Sequence, residues 1–306
     1  MKVYISYNTT NNPHGGGNQF LKGLKKEFVR LGQHSENPHM ADIVLFNSHH
    51  NIEEVAQIKS LYPKKKFVHR IDGPMRLYNS FEDPRDFIVY RACNSFADAI
   101  VFQSDWSKRK NEKLGLNINI PSVVICNAAD PQIFFPKKQK ESESTKIKLI
   151  STSFSSNVRK GFGVYDYLDK KLDFSKYEYS FAGNSPLEFQ NIKMLGCLRT
   201  EELASQLCRH DIFITASEND PCSNSLIEAM SLDLPVVALN SGGHPEIVRK
   251  GGLLFNTKEE IIEKINFLSH NIDKFRNKIV LPSMEDTAQR YLYFFEKITN
   301  NEEQKK

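Results

Sequence analysis

The sequence predicts an α/β protein made of two successive parallel-sheet units. Short β-rich apolar runs alternate with helical patterns along most of the chain. The alternation stops once, at a polar and charged stretch near the middle, and then restarts. The length of 306 residues fits two domains of about 150 residues each.

In the first half, residues 3–6, 43–47, 66–71, 99–103 and 122–126 read as strands, each a compact apolar run closed by polar or turn residues. Helices are expected at 19–31, 52–61, 87–96 and 106–114. The first is clearest, because Phe20, Leu21, Leu24, Phe28 and Leu31 recur at helical spacing. Strands joined through such helices are parallel, with helices covering both faces. Residues 137–145 have almost no apolar anchor and form the expected linker. Beyond it, strands are expected at 147–152, 177–182, 212–215, 236–239 and 253–255. Helices follow at 163–172, 200–208, 225–232, 244–250 and 258–270. The expected domains are therefore 1–136 and 146–283. Residues 284–306 read as an amphipathic helix and polar tail that crosses back to the first domain.

Composition removes several classes. Hydrophobic residues at 40% and charged residues at 25% exclude disorder and coiled coil. A formal charge of +4 is too small to point to nucleic acid, and none is expected as a partner. Five cysteines, odd in number and without a Cys-x-x-Cys pair, argue against a disulfide framework or a four-cysteine zinc site. A reducing, cytoplasmic location is expected. The start, Met-Lys-Val-Tyr-Ile-Ser, lacks a signal-peptide core, and no apolar run approaches the roughly 18 residues of a membrane span.

The densest functional signal lies in 211–248. A buried strand runs into the polar loop Ser217–Ser223, then a helix carrying Glu228, another strand, and Ser241-Gly242-Gly243 before a further helix. Backbone N–H groups at such turns suit a diphosphate. Asp220 and Glu228 suit hydroxyls on two parts of one polar ligand, although a helix cap plus a solvated carboxylate is the plain alternative. Two parallel units place the expected site in a cleft between them, at the strand carboxyl ends.

This stretch resembles the nucleotide-sugar site of family 4 glycosyltransferases (glycosyl transferases group 1). Asp220, seven residues and Glu228-Ala229-Met230 are followed by Pro235-Val236-Val237 and Gly242-Gly243-His244-Pro245-Glu246-Ile247-Val248. The family has Glu at the first carboxylate position and Gly where Asp233 stands. Further matches are 97–107, Asn127-Ala128-Ala129-Asp130 with Phe134 and Pro136, and 196–203.

The resemblance implies the GT-B fold, two facing Rossmann-like, doubly wound domains. It implies transfer of a sugar from a nucleotide-diphosphate sugar, UDP or GDP, to a glycan, glycolipid or other hydroxyl acceptor, with retention. Glu228 inherits the ribose and Asp220 the transferred sugar. Cys222, Ser223, Asn224, Ser225, Gly242 and Gly243 line the donor. Lys160 inherits the diphosphate. Ser155 stands where the family has a second cation, which Arg159 is placed to replace.

In the first domain Gly16 and Gly17 are expected at the diphosphate, and His14 and Asn18 at the acceptor. His69, Arg70 and Asp72 end the third strand and are expected at sugar, phosphate or acceptor, with His69 and Asp72 joining Lys160 and Asp220 as catalytic candidates. No Asp-x-Asp occurs, so no metal or other cofactor is expected. Basic clusters around Lys22–Arg30, Lys64–Lys66 and Lys108–Lys110 read as solvated faces or as a peripheral contact with an anionic membrane. The alternative function is a non-catalytic, glycosyltransferase-like binding subunit. A dinucleotide oxidoreductase is the third reading, disfavoured because the Gly-rich turn does not continue as Gly-x-Gly-x-x-Gly.

Overall fold

The computed structural model describes residues 1–9, 16–136 and 145–303. His14 and most of the expected linker lie outside the described residues. Contacts divide the chain into two compact units. The first gathers 1–9, 20–127 and 282 onward, and the second gathers 16–19 and 128–281.

Chain order in the first unit begins β1 (Val3–Ser6), α1 (Gly16–Arg30), β2 (Ile43–Asn47), α2 (Ile52–Leu61) and β3 (Lys66–Ile71). It continues α3 (Met75–Tyr78), α4 (Arg85–Phe96), β4 (Ala99–Phe102), α5 (Asp105–Lys113) and β5 (Ser122–Val124). All five strands are parallel in the order β1-β2-β3-β4-β5, with Phe46 opposite His69 and Arg70 opposite Val101. A single parallel bridge from Val3 to His34 lies on the far side of β1. The chain thus leaves β1 to one side and returns as β2 on the other, which makes a reversal point beside β1.

Every residue of β2 and β4 is buried, as covering on both faces requires. On one face Val44, Phe46 and Phe67 pack on Val55 and Ile58 of α2 and Ala92 of α4. Phe20 of α1 carries the Arg70 guanidinium on the other, 4.8 Å above its ring.

The second unit runs β6 (Ile147–Ser153), α6 (Phe162–Lys171), β7 (Tyr177–Gly183), β8 (Lys193–Gly196), α7 (Thr200–Leu207) and β9 (Ile212–Thr215). It continues α8 (Asn224–Met230), β10 (Val236–Leu239), α9 (His244–Val248), β11 (Gly252–Phe255), α10 (Ile261–Ser269) and α11 (Ile272–Arg276). Its six parallel strands lie in the order β11-β10-β9-β6-β7-β8. The winding direction reverses between β6 and β9, so the loops leaving those two strands face a natural ligand crevice. Phe162, Tyr165 and Leu168 of α6 join Ile261 and Ile265 of α10 in its core.

The last helix, α12 (Met284–Glu303), belongs to the first unit. Tyr291 and Phe295 pack on Phe28 at 6.4 Å between centroids, and Arg290 donates to the Val124 carbonyl at 2.8 Å.

Two parallel α/β sheets are as expected. The strand β8 and the short helices α3 and α11 were not. Most of β8 is exposed at a sheet edge, so it carries no apolar alternation to read.

Candidate functional site

Beyond β6 the backbone is wound tight by its own small polar side chains. Ser153 Oγ donates to the Ser155 carbonyl at 2.6 Å, and Ser155 Oγ accepts from the Asn157 N–H at 3.1 Å. Asn157 Oδ1 accepts from the Arg159 N–H at 2.9 Å and caps a single 3₁₀ turn, Val158–Lys160. Gly161 ends that turn with φ +82°, and a Cβ there would lie 2.3 Å from the Ala216 carbonyl oxygen. Glycine alone lets this loop press against the segment leaving β9.

The contact aligns two cations with two acids. The Glu218 N–H donates to the Arg159 carbonyl at 2.7 Å. Arg159 Nη1 donates to Glu218 Oε2 at 3.0 Å, and Lys160 Nζ to Asp220 Oδ2 at 3.3 Å. The inner pair is largely buried, with side-chain exposures of 16% and 13%, against 37% and 47% for the outer pair.

The turn after β10 closes on the same loop. A Cβ on Gly242, where φ is +62°, would lie 2.1 Å from the Asp220 carbonyl oxygen. The Gly243 N–H donates to that carbonyl at 2.8 Å, and the Asn219 N–H to Ser241 Oγ at 2.9 Å. The Cys222 N–H donates to Asp220 Oδ1 at 3.2 Å. Asp220 is therefore fixed through both backbone and side chain. The Gly-Gly turn, expected to face a phosphate, spends its Gly243 N–H on holding Asp220. Cys222 and Ser223 are buried. Ser223 Oγ caps α8 by accepting from the Leu226 N–H at 3.4 Å and lies 3.2 Å from Ser225 Oγ. Asn224 and Ser225 are half-buried.

Glu228 sits in α8 at 8% exposure. Its carboxyl accepts no hydrogen bond among the described residues, and burial pushes it up to about 8. Such a group is costly unless something outside the protein pairs with it. His244 is fully buried nearby in sequence, donating from Nδ1 to the Leu239 carbonyl at 2.9 Å, and burial holds it below the ordinary imidazole value. Glu218, Ser241, His244 and Tyr165, whose hydroxyl accepts from the Ala216 N–H at 3.1 Å, were not anticipated. Only the alternation of acids at 218 and 220 opposite the 159–160 pair was there to signal one of them.

Gly16 and Gly17 open α1, in the segment 16–19 that gathers with the second unit, with nothing within 4 Å of a Cβ built on Gly17. Asn18 is buried. His69 is fully buried, stacked on Phe46 at 4.1 Å, and donates from Nε2 to the Ser48 carbonyl at 2.8 Å. Burial holds it down to about 4, so it stays neutral at ordinary pH. Arg70 is equally buried and donates to Asn47, Asp72 and Asn127 at 2.5, 3.1 and 2.8 Å. Neither side chain offers surface to a ligand, a correction to the contacts expected from sequence. Its cause is a strand covered on both faces. Asp72, 24% exposed, also accepts from Gln103 and is the accessible member of the group.

Among the described residues, no three His, Cys, Asp or Glu side chains are grouped to hold a metal. No described helix is long and apolar enough to cross a membrane.

Residues 171–271 match the family model described as Glycosyl transferases group 1. The sulfoquinovosyl transferase SQD2 of Arabidopsis thaliana is 32% identical over 103 residues, 31% of this chain and 20% of that protein. Sucrose-phosphate synthase from Thermosynechococcus elongatus superposes with a TM-score of 0.71 at 12% identity, over 99% of this chain and 98% of that chain. Anabaena Alr3699/HepE, solved in complex with UDP and glucose, gives 0.69 at 16% identity, over 99% and 100%. The chain spans less than half the length of the curated relatives it matches. At such identities the structural likeness speaks for the fold, which is GT-B.

Proposed function

We propose, from the match of residues 171–271 to the model of glycosyl transferases group 1, that the protein is a glycosyltransferase. It moves a sugar from a nucleotide-diphosphate sugar to a hydroxyl of a glycan or glycolipid acceptor, with retention at the anomeric carbon. UDP-sugars are favoured over GDP-sugars, since the similar Anabaena protein was solved with UDP and glucose.

One observation carries this reading: Glu228 is only 8% exposed, and its carboxyl accepts no hydrogen bond among the described residues. A ribose supplies two adjacent O–H donors, which satisfy both oxygens and favour the ionised form. Lys160 and Arg159, on the loop leaving β6, offset the charge that grows on the departing diphosphate. With these two cations opposite the diphosphate, the donor site needs no metal. Asp220, immobilised from three directions, accepts from hydroxyls of the transferred sugar. Cys222, Ser223, Asn224 and Ser225 form the wall between Asp220 and Glu228, and Ser155 shapes the cation loop through its hydroxyl.

In the first unit Asp72 receives a hydroxyl of sugar or acceptor, while His69 and Arg70 hold the strand end that presents it. At the start of α1, Gly16 and Gly17 are assigned to the donor diphosphate and Asn18 to the acceptor.

The test is calorimetric titration of UDP and GDP, with sugar transfer assayed in parallel, for the natural protein and Glu228→Ala. Tenfold or greater loss of nucleotide affinity is expected. Unchanged binding and transfer would remove the site assignment. A chain that binds UDP yet neither hydrolyses nor transfers its sugar is the non-catalytic subunit instead.

A further inference from the structure

The two ion pairs at the reversal point of the second sheet are built differently. Asp220 is fixed, because its carbonyl holds the Gly243 N–H at 2.8 Å and its carboxylate holds both the Cys222 N–H at 3.2 Å and Lys160 at 3.3 Å. Glu218 is held through its side chain by Arg159 alone among the described residues, at 47% exposure. Arg159 is tethered a second time through its backbone, whose carbonyl receives the Glu218 N–H and whose N–H meets Asn157. Opening the side-chain pair therefore leaves the Arg159 backbone in place. Its Nε and Nη2 already have no protein partner among the described residues. One pair is locked and the other exchangeable.

Resting on the donor-site reading above, we propose that Glu218 is an internal counter-ion that competes with the diphosphate for Arg159. The two cations and two acids leave the empty site without net charge. An arriving diphosphate takes Arg159 from Glu218, and the freed carboxylate stays close by on its tethered loop. When the sugar has left, that carboxylate reclaims Arg159 and helps expel the nucleotide. Glu218 is thus a positioning residue that sets how tightly donor and product are held, and it touches neither.

Glu218→Gln in the full chain isolates the charge, because the amide oxygen still accepts from Arg159 Nη1. Titration with UDP, GDP and pyrophosphate should show diphosphate binding tightened about two- to fivefold, as a pair this exposed permits. Affinity for the bare nucleosides uridine and guanosine should not change, and product inhibition should deepen by the diphosphate factor. Glu218→Ser should move affinity in the same direction, with the thermal midpoint of the unliganded protein held. Equal or weaker diphosphate binding by both variants, with Glu228→Ala still destroying nucleotide affinity, overturns this inference alone. A natural protein that binds no nucleotide overturns the donor-site reading and this inference with it.

Discussion

Both units place charged residues at the carboxyl ends of central parallel strands, and the two sets have opposite fates. In the first unit Arg70 is fully buried and directs its donors to Asn47, Asp72 and Asn127. In the second, Lys160 and Arg159 stand on a loop beyond the strand and remain in reach of solvent. Strand-end position says where chemistry can be built, and burial decides whether a ligand can use it. A cation inside the sheet is a fold element, and a cation one loop further out is a reagent.

The sharpest way to break this comparison is to remove Arg70. Arg70→Leu should lower stability by about 3–5 kcal/mol, because Asp72 and two buried amides lose their charged partner together. Arg70→Lys should recover little, since a single ammonium cannot replace a planar fork aimed at three oxygens. Urea unfolding measures both. A variant as stable as the natural protein would mean that Arg70 is held in place for something other than the fold.

Lys160→Ala should do the reverse. Transfer should fall roughly 10²–10³-fold, the cost of deleting one group that stabilises developing charge. The unfolding midpoint should fall less than for Arg70→Leu, as Asp220 keeps the Cys222 N–H and the loop is also fixed by Asn157, Glu218 and the close approach at Gly161. Steady-state kinetics and a melting curve on one preparation distinguish the two outcomes. Large destabilisation with modest loss of turnover would place Lys160 with Arg70.

Much of the fold was legible because strand and helix periods differ and both recur along the chain. Residues 43–46 and 236–239 are unbroken apolar runs that suit a sheet covered on both faces. That same property hid the state of Arg70. In a strand buried on both faces, alternation no longer tells which side chain reaches water. The bridge at His34 was invisible for a different reason, as a single residue pair carries no pattern. In the second unit, Lys160, Asp220 and Glu228 could be nominated from motif spacing. Their arrangement could not, because the partners 159 with 218 and 242 with 220 meet only after distant loops fold together.

Glu228 sharpens the comparison from the other direction, as a buried charge-bearing group that lacks, among the described residues, the partners Arg70 has. Burial pushes its carboxyl from the ordinary 4.5 to about 8. The folded chain therefore keeps a proton that the unfolded chain releases across that window. Its contribution to stability is complete below pH 4.5 and is lost as pH rises through 8. The upper bound is about 1.4 kcal/mol per pH unit. Glu228→Gln mimics the protonated form and should not decline this way. Melting curves between pH 5 and 8.5 should show the natural protein losing ground to the variant as pH rises, and saturating UDP should flatten its decline. Parallel curves for the two proteins would mean that the carboxyl is already paired, and the reason for assigning it to a ribose would be gone.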